Sequence, residues 1–349
     1  MFAPIANSQQ VRVAFLLIPG FSMIGFSALV DPLRQANSLS GEDLYRWQVL
    51  SAQGEPVLAS NGMALVPHTS IQQAQAFDVL LVCAGFEPEL GYTDQLGKWL
   101  QQVSRKGLWL GSQDTGSLLL AKAGLLNGFR ATIHWENLVA FKEVFRRVEV
   151  VDELYEVDGR RMTCSGGMAG LDMMLYLIES QRGHDLALAV SDELIYGHVR
   201  EGKSPQRLHD GLRHGTNNSK VLAVINNMEA NLEEPLSIPE LAKQVSISER
   251  ELERLFNRHI QQPPGRFYRQ KRLQRARALL QQTDQQVVDI AVACGFASAA
   301  HFTRAYKLYF GVAPSRDRVQ QVRLDGAGTG TFATHKSQSL GTVLKQPAS

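Results

Sequence analysis

Cysteine is scarce in this chain, and its spacing pairs nothing. Cys83, Cys164 and Cys294 are the 3 cysteines among 349 residues. An odd, sparse set without a CxxC motif argues against a disulfide framework and against a zinc site, and fits a reducing compartment. Long apolar runs are missing as well. None reaches the roughly 18 residues a membrane-spanning helix needs, so no membrane segment is predicted. The opening MFAPIANSQQ has no basic region followed by an apolar one, which predicts no export signal. Net charge is nearly absent at +2. Nothing in these absences calls for a metal or a cofactor, and none is expected.

What is present is a charge asymmetry. Residues 250–318 hold 13 Lys and Arg against 5 Asp and Glu, which leaves the remainder of the chain at −6. Such asymmetry is what a phosphate-binding module attached to a neutral or acidic one should show. The stretch 286–318 reads QVVDIAVACGFASAAHFTRAYKLYFGVAPSRDR. Val287, Val288, Ile290 and Ala291 form an apolar stripe at helical spacing. Gly295 permits a sharp turn, and Ser298 can cap the next helix. That helix is expected to bury Phe302, Ala305, Tyr306 and Tyr309 and to expose Ala299, Ala300, Thr303, Arg304 and Lys307. Helix, tight turn and helix describe a helix-turn-helix, whose second helix enters the major groove. Two core helices of an ordinary bundle are the alternative.

The pattern occurs twice. VSISERELERLFNRHIQQPP over 245–264 lies over 295–314, matching Ser248 to Ser298, Leu252 to Phe302, Arg254 to Arg304 and Phe256 to Tyr306. Upstream, Leu241 and Ala242 match Ile290 and Ala291 only if one residue slips. An internal repeat means one architecture built twice. Between the copies, residues 265–283 read as a basic helical rod. It can hold the two recognition helices about one DNA turn apart, roughly 34 Å. Through IAVACGFASAAHFTRAYKLYFGVAPS, residues 220–323 resemble the DNA-binding domain of the AraC/XylS family. Gln261 departs from that pattern, which has Gly there, and so does the ending Arg316-Asp317-Arg318.

The N-terminal half alternates buried-type strands with helices. VRVAFLLIP (11–19), WQVLSA (47–52), FDVLLVC (77–83) and GLWLG (107–111) read as strands, and 96–106 as a helix. Asn61-Gly62 marks a hairpin turn. The expected class is an α/β parallel sheet covered on both faces, with ligands beyond the strand ends. There, SQDTG runs from strand into helix, so Asp114 stands at a tight elbow. His134 and the pair Gly166-Gly167 follow. A histidine satisfied at a strand end and a simple turn are their alternatives.

Through GLWLGSQDTGSLLLAKAGLLNGFRATIHWE and SGGMAGLDMMLYLI, residues 10–196 resemble the flavodoxin-like PfpI, class I glutamine-amidotransferase fold. They are more closely similar to the sensor half of the GlxA subgroup of AraC-type regulators. Enzymes of this fold carry a nucleophilic Cys at the elbow and often a Glu after the first strand. Here the Cys position is Asp114 and the Glu position falls near Gly25. A carboxylate does not easily replace a thiolate, because its acyl product would be an anhydride that seldom suits amide hydrolysis, so no catalytic residue is expected and the pocket reads as retained for binding. The tethered amidase or amidotransferase is the alternative function, and a DNA architectural protein without a ligand is a third.

The expected organisation is a sensor over 10–196, a linker over 197–219, a DNA-binding domain over 220–323 and a disordered tail over 324–349. The expected function is that of a cytoplasmic, nucleoid-associated transcription regulator, by resemblance an activator. It would bind double-stranded promoter DNA as a homodimer and engage RNA polymerase. DNA would be read by Arg250, Glu253 and Arg254 on the first recognition helix and by Ala300, His301, Thr303 and Arg304 on the second. Lys271, Arg272 and Arg275 on the rod would meet phosphates. A small-molecule effector would sit at Asp114, His134, Trp135, Phe21 and Gly25. A carboxylate among aromatic faces favours a cation, and the GlxA resemblance implies carnitine- and betaine-like compounds. The alternative is that Asp114 caps the helix at Thr115 and that Trp135 is core.

Overall fold

The computed structural model describes residues 10–207 and 215–319. The expected disordered tail lies outside them. The first half contributes β1 (Val11–Leu17), α1 (Met23–Ser40), β2 (Tyr45–Ser51), β3 (Val57–Leu58), β4 (Ala64–Leu65), β5 (Thr69–Ser70) and β6 (Val79–Cys83). It continues with α2 (Asp94–Arg105), β7 (Trp109–Gln113), α3 (Gly116–Lys122), β8 (Arg130–Ala131), α4 (Leu138–Val144) and β9 (Glu149–Val150). β10 (Tyr155–Asp158), β11 (Arg161–Cys164), α5 (Ala169–Arg182) and α6 (His184–Glu193) complete it.

Seven strands make one sheet in the order β10-β11-β7-β6-β1-β2-β5. Every neighbouring pair is parallel except β10 with β11 at one edge. β1, β6 and β7 lie inside and are covered on both faces, which explains why they read as hydrophobic runs rather than alternating patterns. Phe15, Leu17 and Leu81 face a core shared with α1 and α5; Leu16, Leu80 and Val82 face a second core shared with α2 and α3. The expected hairpin exists as β3 against β4. β7 runs two residues beyond the predicted GLWLG, to Gln113, and this carries the elbow to the carboxyl edge of the sheet.

The second half is helical: α7 (Ser219–Ala230), α8 (Ile238–Gln244), α9 (Glu249–His259), α10 (Pro264–Gln282), α11 (Val287–Ala293), α12 (Ala299–Phe310) and α13 (Pro314–Val319). Two separate cores hang on the rod α10. Its first half gives Phe267 and Tyr268 to a core with Leu241, Leu252 and Phe256. Its second half gives Leu273, Ala276 and Leu280 to a core with Ile290, Phe302 and Tyr306. At 1.5 Å per residue the rod is about 28 Å long. The buried carboxylate of Asp317 accepts from Tyr306 Oη at 2.6 Å and lies 3.0 Å from Arg277 Nε, which pins α13 across α12 and the rod. One expectation fails: Tyr309 is exposed, because it lies off the Phe302–Tyr306 stripe.

The one-residue slip in the repeat has a structural cause. Ser246 and Gly295 occupy the same turn position, with φ of 55° and 71°. The next residues, Ile247 and Phe296, donate to the carbonyls of Ala242 and Ala291. Ser248 then caps α9 directly, whereas Ala297 intervenes before Ser298 caps α12. Gly295 cannot be replaced as Ser246 replaces it, because a Cβ there would run into the ring of Pro235.

Candidate functional site

The elbow is built at the join of β7 and α3. Asp114 has φ 59°, left-handed backbone that Asn and Asp tolerate better than other residues with a side chain. Its N–H donates to the Cys164 carbonyl at 3.0 Å, tying the elbow to the end of β11. Gly166 (φ 97°) makes room for the carboxylate, since a Cβ there would lie 2.8 Å from Asp114 Oδ2. Gly166 is therefore shaped to the Asp114 carboxylate as well as being part of a turn. Burial pushes the Asp114 carboxyl up to about 7, against the pull of the Thr115 N–H and with a further push from Glu136. Thr115, not Asp114, holds the cap position of α3, and no side-chain bond caps that helix.

His134, Trp135 and Glu136 follow β8 on the same side. The His134 ring stacks on Trp135 with centroids 5.4 Å apart. Its Nδ1 lies 3.9 Å from Glu136 Oε2, and burial lowers its pKa, which favours the neutral ring at pH 7. Trp135 is 38 % exposed, so it is not a core residue. Glu136, an Asp114 that ionises through about 7, a neutral imidazole and a partly exposed indole suit a cation better than an anion.

Two expectations at this site need correction. Phe21 is wholly buried, edge-on to Phe26 in the α1 core, and its backbone forms single bridges to Ala59 and Gly85. It lines the fold and offers no face. Gly25 does open space at the start of α1, but the Gln113 side chain fills it; a Cβ at Gly25 would collide with that amide. Gln113 is fully buried, and neither its Nε2 nor its Oε1 has a hydrogen-bond partner among the described residues. The space beside Gly25, where the resemblance puts the enzymes' carboxylate, thus holds a neutral amide. Glu136 was missed in the sequence because it has no local signature and only the fold brings it to bear on Asp114; Gln113 lies in the elbow run itself, but nothing local tells that its amide fills the space beside Gly25.

The cysteines are no substitute nucleophiles. Cys83, Cys164 and Cys294 are buried, and burial raises all three thiols, Cys164 and Cys294 to about 12. Among the described residues no cluster of His, Cys, Asp and Glu could hold a metal ion, and no helix is long and apolar enough to cross a membrane.

The DNA-reading face lies on the second helix of each repeat. Arg250, Glu253 and Arg254 are exposed on α9, opposite Leu252, Leu255 and Phe256. Arg254 is held by Glu251 on the same helix at 2.7 Å. Ala300, His301, Thr303 and Arg304 are exposed on α12, although the His301 ring also leans on Phe296. The rod differs from expectation. Lys271 is paired with Glu229 at 2.7 Å and lies over Phe267. Arg272 donates to the Gly295 carbonyl at 2.7 Å and its guanidinium lies over Tyr268 and Phe296. Arg275 is half-buried with its Nε sealed from solvent. Lys271 and Arg272 fasten the rod to its two units. Arg266 and Arg269 are the exposed rod cations.

Comparison with known proteins agrees with both halves. Residues 11–180 match the DJ-1/PfpI family and residues 241–320 match a helix-turn-helix domain. The chain is 47 % identical over 87 % of its length, and 90 % of the relative's, to the HTH-type transcriptional regulator CdhR of Pseudomonas aeruginosa. It is 42 % identical to the regulator GbdR of the same species over 91 % of this chain and 87 % of that one. The crystal structure of an AraC family transcriptional regulator from Pseudomonas putida covers 53 % of this chain and 99 % of its own, at 29 % identity and a TM-score of 0.50. With a DJ-1/PfpI fold whose elbow holds Asp114 and two helix-turn-helix units on one basic rod, this chain belongs to the AraC-type, DNA-binding transcriptional regulators that carry a DJ-1/PfpI domain.

Proposed function

We propose that this transcription regulator is switched by a small cationic metabolite of the quaternary-amine class, such as carnitine or glycine betaine, bound at Asp114, His134, Trp135 and Glu136. The observation that carries the reading is the elbow. The strained position that would present a nucleophile presents a half-buried carboxylate instead, and Glu136, next in the chain to the partly exposed Trp135, acts on it. A buried carboxylate without a cation is costly, and a bound cation relieves that cost. The regulator acts as a homodimer through the 10–196 sensor, activates transcription by engaging RNA polymerase, and performs no amidase chemistry. Calorimetry with carnitine, glycine betaine, choline and arginine on wild type and Asp114→Asn tests the effector. Micromolar to millimolar binding that Asp114→Asn weakens at least 10-fold is expected. Preference for a neutral or anionic metabolite, or indifference to Asp114→Asn, would reject it.

A further inference from the structure

Residues 197–207 leave the end of α6 and run back over the sensor as a strap. Asp172, wholly buried on α5, accepts from the Arg200 backbone N–H at 2.8 Å and from its guanidinium at 2.6 and 3.0 Å. The Leu154 N–H donates to the carbonyls of Gly202 and Ser204 at 2.9 and 3.1 Å. Gln206 Nε2 then reaches three acceptors beside β8: Thr132 Oγ1 at 3.0 Å, the Ile133 carbonyl at 2.9 Å and the Glu153 carbonyl at 3.1 Å. Thr132 and Ile133 immediately precede His134. At the next residue the Arg207 guanidinium lies 5.0 Å from the centroid of Trp135. One residue further along the same loop, the Glu136 carbonyl accepts from Gln282 Nε2 in the last turn of α10 at 3.2 Å. The effector loop is therefore held from one side by the strap and from the other by the rod.

We propose that the open face of Trp135 is the cation seat of the sensor, and that Arg207 fills it until an effector cation takes its place and frees the end of the strap. The inference rests on the cationic-effector reading above. An indole face attracts a guanidinium and a quaternary ammonium by the same quadrupole, and a second cation beside the first is repelled. The two occupants therefore exclude each other. An internal occupant lowers the apparent affinity of the effector by the fraction of molecules whose seat is open. By the same linkage, a bound effector shifts the strap toward release. The Arg200–Asp172 pair is a multiply bonded charge pair with a buried partner and anchors the start of the strap. Release should accordingly stop short of Arg200, and to reach residues 203–207, which lead toward the DNA-binding half, it must also open the Ser204 and Gln206 bonds.

The test uses the full chain as wild type, Arg207→Ala and Arg207→Lys. Each is titrated by calorimetry with glycine betaine and with tetramethylammonium, and hydrogen exchange is followed over 197–207 with and without saturating betaine. Arg207→Ala should bind at least roughly 2-fold more tightly than wild type, the lower bound set by one cation–π contact at a partly exposed site. Arg207→Lys should fall between the two. In wild type, betaine should speed exchange at 203–207 and leave 197–202 protected. If a cation binds wild type but Arg207→Ala binds it no better, or exchange at 203–207 does not change, the seat is wrong and the cationic-effector reading survives. If neither cation binds either protein, both readings fall together.

Discussion

Asp114 carries two costs at once: a left-handed backbone and a carboxyl whose proton is held up to about 7 by burial. In the unfolded chain the same group titrates near 3.9. Its folded form therefore binds the proton more tightly. The stability this contributes is complete below about pH 4 and is lost as pH rises through about 7. Asp114→Asn has no proton to lose and tolerates the same backbone. It should become progressively more stable than wild type between pH 5 and pH 8, by at most about 3 kcal/mol. Urea unfolding at both pH values reads this directly; a gap that does not change with pH removes the argument. Cation binding should run the other way in wild type, tightening as Asp114 ionises through about 7. Gln261 and Ser246 hold the other informative backbones, at φ 60° and 55°. Gln261 stands where the AraC/XylS pattern has Gly, and the structure supplies the reason for that Gly. Gln261→Gly should stabilise the DNA-binding half by roughly 0.5–1 kcal/mol, after the entropy glycine adds to the unfolded chain. Thermal unfolding that shows a loss instead would mean the Gln261 side chain makes a contact worth more than its strain.

At the scale of elements, the recognition helices and the rod divide their work. α9 and α12 bury one stripe and expose Arg250, Arg254, Thr303 and Arg304 on the other. The Arg254–Glu251 pair is an exposed (i, i+3) bridge, a kind worth little, so DNA can redirect the arginine. Arg250→Ala and Arg254→Ala should each cost about 1–3 kcal/mol on the specific site and much less on scrambled DNA, if they grip guanine. Arg266→Ala and Arg269→Ala on the rod should weaken both DNAs alike and lower the salt slope by about 1 each. Arg272→Ala should lower the melting temperature, since Arg272 holds the turn at Gly295. Gel shifts at several salt concentrations, with melting curves, separate the three classes. Equal losses on both DNAs for Arg250 and Arg254 would reject their base-reading role. The basic composition of the rod was legible, but its inward cations were not. Helical spacing tells which residues share a face and not which neighbour will cover it, and Glu229 and Gly295 lie far off in the chain.

For the whole molecule, −6 outside residues 250–318 leaves no strong charge barrier to pairing of two copies. A homodimer is expected to hold four recognition helices on two half-sites. Analytical ultracentrifugation with and without promoter DNA should show the dimer, and a monomer in both states would contradict it. What the sequence by itself determined is what depends on neighbours along the chain. Apolar runs identify β1, β6 and β7 because strands buried on both faces need no polar alternation. The doubled helix-turn-helix is visible because its caps and apolar stripes recur at nearly the same spacing. The elbow at Asp114 is visible because a strand, a tight turn and a helix are contiguous. Only the tertiary structure decided which residues meet across the sheet. It buried Phe21 in the core, set the Gln113 amide over Gly25, brought Glu136 to the elbow and laid Arg207 on Trp135. Those contacts depend on how the loops after different strands converge at one sheet edge. Local propensity and spacing carry no record of that convergence, because it is set by packing between segments tens of residues apart.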